Sequence, residues 1–366
     1  MIYLDYSANF PVNKEVLDYM CEVELKYYGN YNSSHKLGLL SKQKYQEMDN
    51  HIKSILNLDD NHEVIYTSSA TESNNLAILG VAESYSGFGK KILVSELEHS
   101  SINATLGYLK DKGYQIEFIK TLDTGLIDLN DLKEKLTKDT ILVIITLVDG
   151  ETGIIQDYKS IAKIINTNPN AHFLVDATQG VGKIDIDFNL IDLTSFTPHK
   201  FGGIVGSGCL IKKKSTVLSP LFHGGASNTI YRSGSVPLGI IASIEKALDL
   251  RFKNMKENNL KTKNINEYLL SKLKEMDNVI INSSNYPYIV NISLKNKLAK
   301  DSVNYLNEHD ICISQKSACS IKNTPSKIIM AIYKDKKRAL SSFRISLSEL
   351  VAKDDIDTFI KVLKEL

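Results

Sequence analysis

Short apolar runs recur through the first two thirds of the chain: EVIYTS (63–68), KILVS (91–95), YQIEFI (114–119), ILVIIT (141–146), HFLVDA (172–177), DLTSFT (192–197) and GCLIKK (208–213). Runs this short, rich in Val, Ile, Phe and Thr, read as strands. ILVIIT is apolar at consecutive positions, which predicts burial on both faces. Between most of these runs the pattern turns helix-compatible, as in TESNNLAILGVAESY (71–85), SINATLGYLKDKG (101–113) and YKSIAKIINTN (158–168). Strand alternating with helix predicts an α/β fold with a mostly parallel central sheet covered on both faces.

From Pro237 the pattern changes. One long helical stretch, rich in Lys, Asn and Glu, is expected to reach about Met276 and to serve as a connector. Then come IVNISL (289–294), a helix near 299–308, ICIS (311–314), a helix near 325–334, FRISLS (343–348) and a final helix over 354–366. These predict a smaller α+β domain. The expected division is a large domain over 13–255 and a small one made of 1–12 and 256–366. The stretch SPLFHGGASNTIYRSGSVPLG (219–239) is a long irregular loop, and such loops are often functional.

Composition narrows the function classes. With 366 residues, the chain has room for two domains. A formal net charge of +1 provides no global field for nucleic acid or a membrane surface. The lysine clusters at 212–214 and 334–337 read as solvated loops. No run reaches the ~18 apolar residues of a membrane span. The opening MIYLDYSANFPV lacks the basic and apolar regions of a secretory signal. Cys21, Cys209, Cys312 and Cys319 show no zinc-ligand spacing, so no metal is expected. These features predict a cytoplasmic protein with free thiols. Cys209 and Cys312 read as buried. Cys319, in QKSACSIKN with Lys316 and Lys322 nearby, reads as exposed and electropositive, a setting that favours thiolate.

In open α/β sheets ligands bind past the carboxyl ends of the strands. Ser69-Ala70-Thr71-Glu72 follows EVIYTS and opens a helix, whose first N–H groups suit a phosphate or a simple cap. Glu98-His99 follows KILVS, and a histidine there stacks on an aromatic ligand or caps a loop. Asp176 ends HFLVDA. A buried aspartate needs a positive partner, such as a protonated ring nitrogen, unless it caps the next turn. His199-Lys200 follows DLTSFT, where a lysine amine is placed to form a Schiff base with an aldehyde cofactor. A phosphate site, a stacking His, an Asp for a ring nitrogen and a Lys for an aldehyde together point to pyridoxal 5'-phosphate.

These residues carry a resemblance. IYLDYSANFPV, GNYNSSHKLG (29–38), SSATESNNLAI (68–78), SELEHSSI (95–102), GETGIIQD (150–157), VDATQGVGKIDID (175–187), SFTPHKFGG (195–203), YRSGS (231–235), KSACS (316–320) and SSFRISL (341–347) follow one another as in the class V aminotransferase superfamily. The chain is similar within it to cysteine desulfurases of the iron–sulfur-cluster type, over nearly its whole length. The resemblance implies the pyridoxal-phosphate-dependent transferase fold type I. It implies Lys200 as the Schiff-base lysine, Asp176 at the pyridine nitrogen, Gln179 at the phenolic oxygen and His99 stacked on the ring. Ala70, Thr71, Thr197 and His199 fall at the phosphate site, with Ser235 reaching it from the other subunit of a homodimer. Asn30 and Arg344 would hold the substrate carboxylate. Cys319 would take the sulfur of L-cysteine as a persulfide, with alanine as product. The persulfide would pass to a sulfur-acceptor protein, either an iron–sulfur scaffold or a tRNA-thiolation enzyme.

Two departures from the family matter. Val148-Asp149-Gly150-Glu151 stands where Val-Asn-Asn-Glu is usual, so Gly150 lacks the side chain that bonds the phenolic oxygen. Lys316 stands where a glycine is typical before Ser-Ala-Cys. The ending KVLKEL, close after the last helix, is expected to favour a tRNA-thiolating acceptor. The alternatives are a class V lyase or aminotransferase acting on another small amino acid, and a low-activity regulatory paralogue.

Overall fold

A computed structural model describes residues 1–283, 285–316 and 324–366. The chain opens on β1 (Ile2–Tyr3). The seven apolar runs then become β2 (His62–Thr67), β3 (Lys91–Ser95), β4 (Gln115–Ile119), β5 (Thr140–Thr146), β6 (His172–Asp176), β7 (Leu193–Phe196) and β8 (Gly208–Lys213). They form one sheet in the order β2-β8-β7-β6-β5-β3-β4. β8 is antiparallel to β2 and β7, while the remaining pairs are parallel. The carboxyl ends of β2, β3, β5, β6 and β7 therefore share one edge.

Burial on both faces is visible along β5. Val143 and Ile145 pack into one core with Phe173, Val175 and Ile241, whereas Leu142 and Ile144 pack into another with Ile92, Leu76 and Leu106. Successive strand residues point to opposite faces, and here both faces are covered by helices. Each of the seven strands ends within one residue of its apolar run, because the polar residues that bound the run cannot enter either core.

The C-terminal third forms β9 (Val279–Ser283), β10 (Ile289–Leu294), β11 (Ile311–Cys312) and β12 (Ser342–Ser346). β12, β10 and β9 make an antiparallel sheet, and β1 pairs in parallel with β11. A separate core joins Leu4 and Tyr6 to Ile292, Phe343, Phe359 and Leu363. The first residues thus belong to the core built from the chain's end. They then cross to the large sheet, where Phe10 N donates to His199 O and Asn13 N to Gly202 O, both at 2.9 Å.

Three expectations change. The long stretch after Pro237 is two helices, Leu238–Lys253 and Met255–Leu273, meeting at Asn254, whose φ of −103° and ψ of 7° are not helical. Lys212 is not in a solvated loop. It lies on β8 with 0% exposure, its Nζ 2.7 Å from Glu63 Oε1 and 4.8 Å from the Tyr231 ring centroid. An amine tolerates that burial because an ion pair and an aromatic face replace water. Cys312 is half-buried, while Cys209 is buried as expected. Among the described residues no helix is long and apolar enough to cross a membrane.

Candidate active site

A cavity of about 220 Å³ opens at the shared strand edge, lined by Ser7, Ala8, Ser69, Ala70, Thr71, His99, Asp176, Thr178, Gln179, Thr197, His199, Lys200 and Arg344 among others. Parallel strands carry the loops of distant sequence segments to one place, and the crossing N-terminal segment supplies Ser7 and Ala8. Ser69 caps the helix Ala70–Ser84, its side chain accepting from Glu72 N. The N–H groups of that first turn have no partner within the helix and face the site with the positive end of its dipole. Gly208 allows this approach, since a Cβ there would lie 2.4 Å from the Ser69 carbonyl carbon.

β7 ends at Phe196, and Pro198–Lys200 forms a single 3-10 turn. Gly202, with φ +101°, turns the chain away after the lysine. Lys200 Nζ donates to Ala8 O at 2.7 Å. Thr197 Oγ1 donates to Ser207 O at 2.8 Å and lies 2.8 Å from His199 Nδ1. The threonine has one proton, and a carbonyl only accepts, so His199 is the donor in the second bond. Burial and the charge of Lys200 lower the His199 pKa to about 4, which keeps the ring neutral near pH 7.

Asp176 ends β6 at 4% exposure, with Oδ1 accepting from Thr178 N at 3.0 Å and Oδ2 from Asn74 Nδ2 at 2.9 Å. Gln179 Nε2 donates to Ser7 O at 2.9 Å, while its Oε1 accepts from Lys183 Nζ at 3.1 Å. The Ser7 carbonyl, which only accepts, sets which end of this amide is nitrogen. His99 caps the helix Ser100–Asp111, with Nδ1 accepting from Ser101 N at 3.2 Å. It both caps and lines the cavity. Beside it Glu98 is buried, and burial pushes its carboxyl up to about 7 against hydrogen bonds from Ser95 and Thr146.

Arg344, on β12, enters the cavity from the smaller sheet. Its Nη1 donates to Gly150 O at 2.7 Å and its Nη2 to Asp5 Oδ1 at 2.6 Å. Asp149 does not reach into the cavity. Its Oδ1 accepts from Glu151 N, Thr152 N and Thr152 Oγ1, which folds the carboxylate back into its own turn. Lys316 is buried, with Nζ 2.8 Å from Thr324 Oγ1, and burial lowers its pKa against the charge of Glu151. Asn30 and Ser235 are exposed and do not line this cavity. Cys319 lies outside the described residues.

The structure also brings in residues the motifs did not single out. Asp5 pairs with Arg344, Ala8 with Lys200 and Ser7 with Gln179, and all three lie in the opening DYSAN. Asn74 stands behind Asp176, and Ser101, on the cavity wall, bonds to the His99 ring. Their only trace in the sequence was to sit within four residues of singled-out positions, in SSATESNNLAI and SELEHSSI.

The aminotransferase class-V family model matches residues 2–359. The chain is 35% identical over 373 residues to the cysteine desulfurase IscS of Buchnera aphidicola subsp. Acyrthosiphon pisum (strain 5A), covering 99% of this chain and 91% of that protein. A solved NifS-like protein superposes with a TM-score of 0.92 at 26% identity, covering 100% of this chain and 98% of that one. The NifS-like protein from Rickettsia africae gives a TM-score of 0.89 at 30% identity, covering 100% and 99%. A match that runs through both sheets and every strand end around the cavity leaves one assignment: the chain belongs to the aminotransferase class-V family.

Proposed function

We propose that the protein is a pyridoxal-phosphate-dependent cysteine desulfurase, converting L-cysteine to L-alanine with transfer of sulfur to Cys319. The observation that carries the reading is the convergence of the Lys200 amine, the Asp176 carboxylate and the Arg344 guanidinium on one cavity. The chain's 35% identity to a cysteine desulfurase over 373 residues supports the substrate.

The residues present fit the cofactor. Asp176 is a buried acceptor with no cation bonded to it in the hydrogen-bond pattern above, and Thr178 Oγ1, also at the cavity, is buried without a partner among the described residues. The helix start at Ala70 and Thr71 suits a phosphate. When bound, pyridoxal phosphate supplies an aldehyde and an electron sink. Lys200 would bind its aldehyde, Asp176 would face its ring nitrogen, Gln179 its phenolic oxygen and His99 its ring. Thr71 would hold the phosphate, and His199 would do so only once the phosphate charge draws a second proton onto its ring, since Nδ1 already donates to Thr197 and only a protonated Nε2 can donate to an anion. Thr197 would act through His199, because its single proton is spent on Ser207 O. Ser235 would complete the phosphate site of a second copy in a homodimer, and Asn30 would meet the substrate there.

The chain's own residues then have distinct tasks. Arg344, planar and bidentate, orients the substrate carboxylate. Lys200 Nζ and His99 Nε2 move protons at the substrate. The Cys319 thiolate attacks the substrate sulfur. The carbon–sulfur bond breaks, a sulfur–sulfur bond forms, and the carbon gains a proton: cysteine plus thiol gives alanine plus persulfide. The persulfide passes to an acceptor protein, an iron–sulfur scaffold or a tRNA-thiolating enzyme in the cytoplasm.

The test is an absorption spectrum before and after L-cysteine, paired with alanine and sulfide assays. The wild-type protein should show a visible cofactor band and release equal alanine and sulfide with a reductant present. Cys319→Ala should keep the band and lose sulfur transfer, whereas Lys200→Ala should lose both turnover and borohydride labelling. Alanine formation that survives Cys319→Ala unchanged, with sulfide, would sink the sulfur-transfer role.

A further inference from the structure

The helix Ala70–Ser84 packs over β6, β7 and β8. Its Asn74 has 0% exposure and does not itself line the cavity. It stands one hydrogen bond behind two residues that do, Asp176 and Ser101. Each end of its carboxamide has a forced role. Ser195 Oγ donates to Oδ1, while Nδ2 donates to Asp176 Oδ2 at 2.9 Å and to Ser101 Oγ at 3.1 Å. Reversing the amide would set an oxygen against the carboxylate, so only one orientation is satisfied.

The direction of these bonds propagates. Ser101 Oγ accepts from Asn74 and lies 2.9 Å from His99 Nδ1, so its own proton goes to that nitrogen. His99 Nδ1 also accepts from Ser101 N, and the proton of the neutral ring therefore sits on Nε2. Asp176 meanwhile receives one N–H on each oxygen, from Asn74 and from Thr178 N. Two such donors fix its rotamer.

We infer that Asn74 is a positioning residue for the cofactor ring: its carboxamide aims the Asp176 carboxylate at the ring nitrogen and ties it, through Ser101, to the His99 ring. The inference rests on the pyridoxal-phosphate reading above. It concerns a side chain that touches neither cofactor nor substrate.

Asn74→Leu, close in volume and without donors, is the test. In the loaded enzyme, pyridoxal phosphate affinity should fall about tenfold or more, as expected for a buried bond to a charged acceptor. The pH midpoint of the bound visible band should move up, because a ring nitrogen held less positive lets the chromophore keep its proton longer. Glu98, His99, His199, Lys200 and Arg344 remain in place around the site, but the variant also breaks the Asn74–Ser101 bond, so the shift reports the linked Asp176 and His99 together and a double-mutant cycle isolates Asp176. In cofactor-free protein, a double-mutant cycle of Asn74→Leu with Asp176→Asn, read by urea unfolding, should be non-additive by about fivefold or more in the unfolding equilibrium. A folded variant with unchanged affinity and midpoint, or an additive cycle, overturns the inference. If the wild-type chain takes up no pyridoxal phosphate, the proposed function falls, while the cycle still upholds or overturns the Asn74–Asp176 link. Should Asn74→Leu not fold, Ser195→Ala, which frees the carboxamide to turn, should give both shifts in smaller measure, and no shift there counts against the inference.

Discussion

Gly150 offers the sharpest single perturbation, because the resemblance read from the sequence implies an asparagine at that position. A Cβ built on Gly150 meets nothing nearer than Gln179 Cγ at 3.8 Å and Gln179 Nε2 at 3.9 Å, both ordinary contacts. Its backbone is not in the left-handed region, so a side chain brings no strain. The bond from Arg344 Nη1 goes to the Gly150 carbonyl and survives substitution. Gly150→Asn should therefore fold. Removing glycine's freedom in the unfolded chain stabilises by about 0.4–1 kcal/mol. The new amide beside Gln179 adds a donor at the cavity, contributing about 1 kcal/mol to cofactor binding, or roughly fivefold in affinity. Urea unfolding of the cofactor-free protein and a pyridoxal phosphate titration measure the two effects separately. Destabilisation would mean that the space beside Gln179 is not there. Raised stability with unchanged affinity would mean that position 150 does not face the cofactor and would refute its role at the phenolic oxygen.

Asp5→Ala should leave Arg344 as an uncompensated charge, since its guanidinium is 2% exposed and Asp5 is its ion-pair partner. The expected cost is about 3–5 kcal/mol in urea unfolding, and a loss under 1 kcal/mol would refute the pairing. Glu98 gives a pH-dependent prediction. Burial raises its folded pKa to about 7 from an ordinary 4.5, so its contribution to stability is complete below pH 4.5 and is lost as pH rises through 7. Relative to Glu98→Gln, the wild-type protein should lose up to about 3 kcal/mol across that window. Parallel stability curves for the two proteins would show that Glu98 ionises normally.

Much of the fold was legible because buried strands leave a strong mark. ILVIIT and HFLVDA are apolar at every position that enters either core, and their boundaries came out within a residue. Val279–Ser283 and the helix Lys336–Ser341 were not read, being short and, in the strand, only half-buried. The break at Asn254 was invisible because asparagine is tolerated within a helix. Lys212 was misread because a sequence shows a charge but not the carboxylate and ring that receive it.

By itself, the order of residues determined the alternating architecture and which residue types stand at the strand ends, since both follow from local pattern. It also placed Lys200, Asp176 and His99 where a ligand was expected. Only the tertiary structure decided what each of them bonds. Asp5 and Arg344 are separated by almost the whole chain and meet because β1 pairs with β11 beside β12. Asn74 reaches Asp176 because a helix crosses the back of the sheet. Hydrogen bonds and ion pairs act over about 3 Å of space whatever the separation along the chain, so these partners are settled by packing and have no signature in any single stretch of sequence.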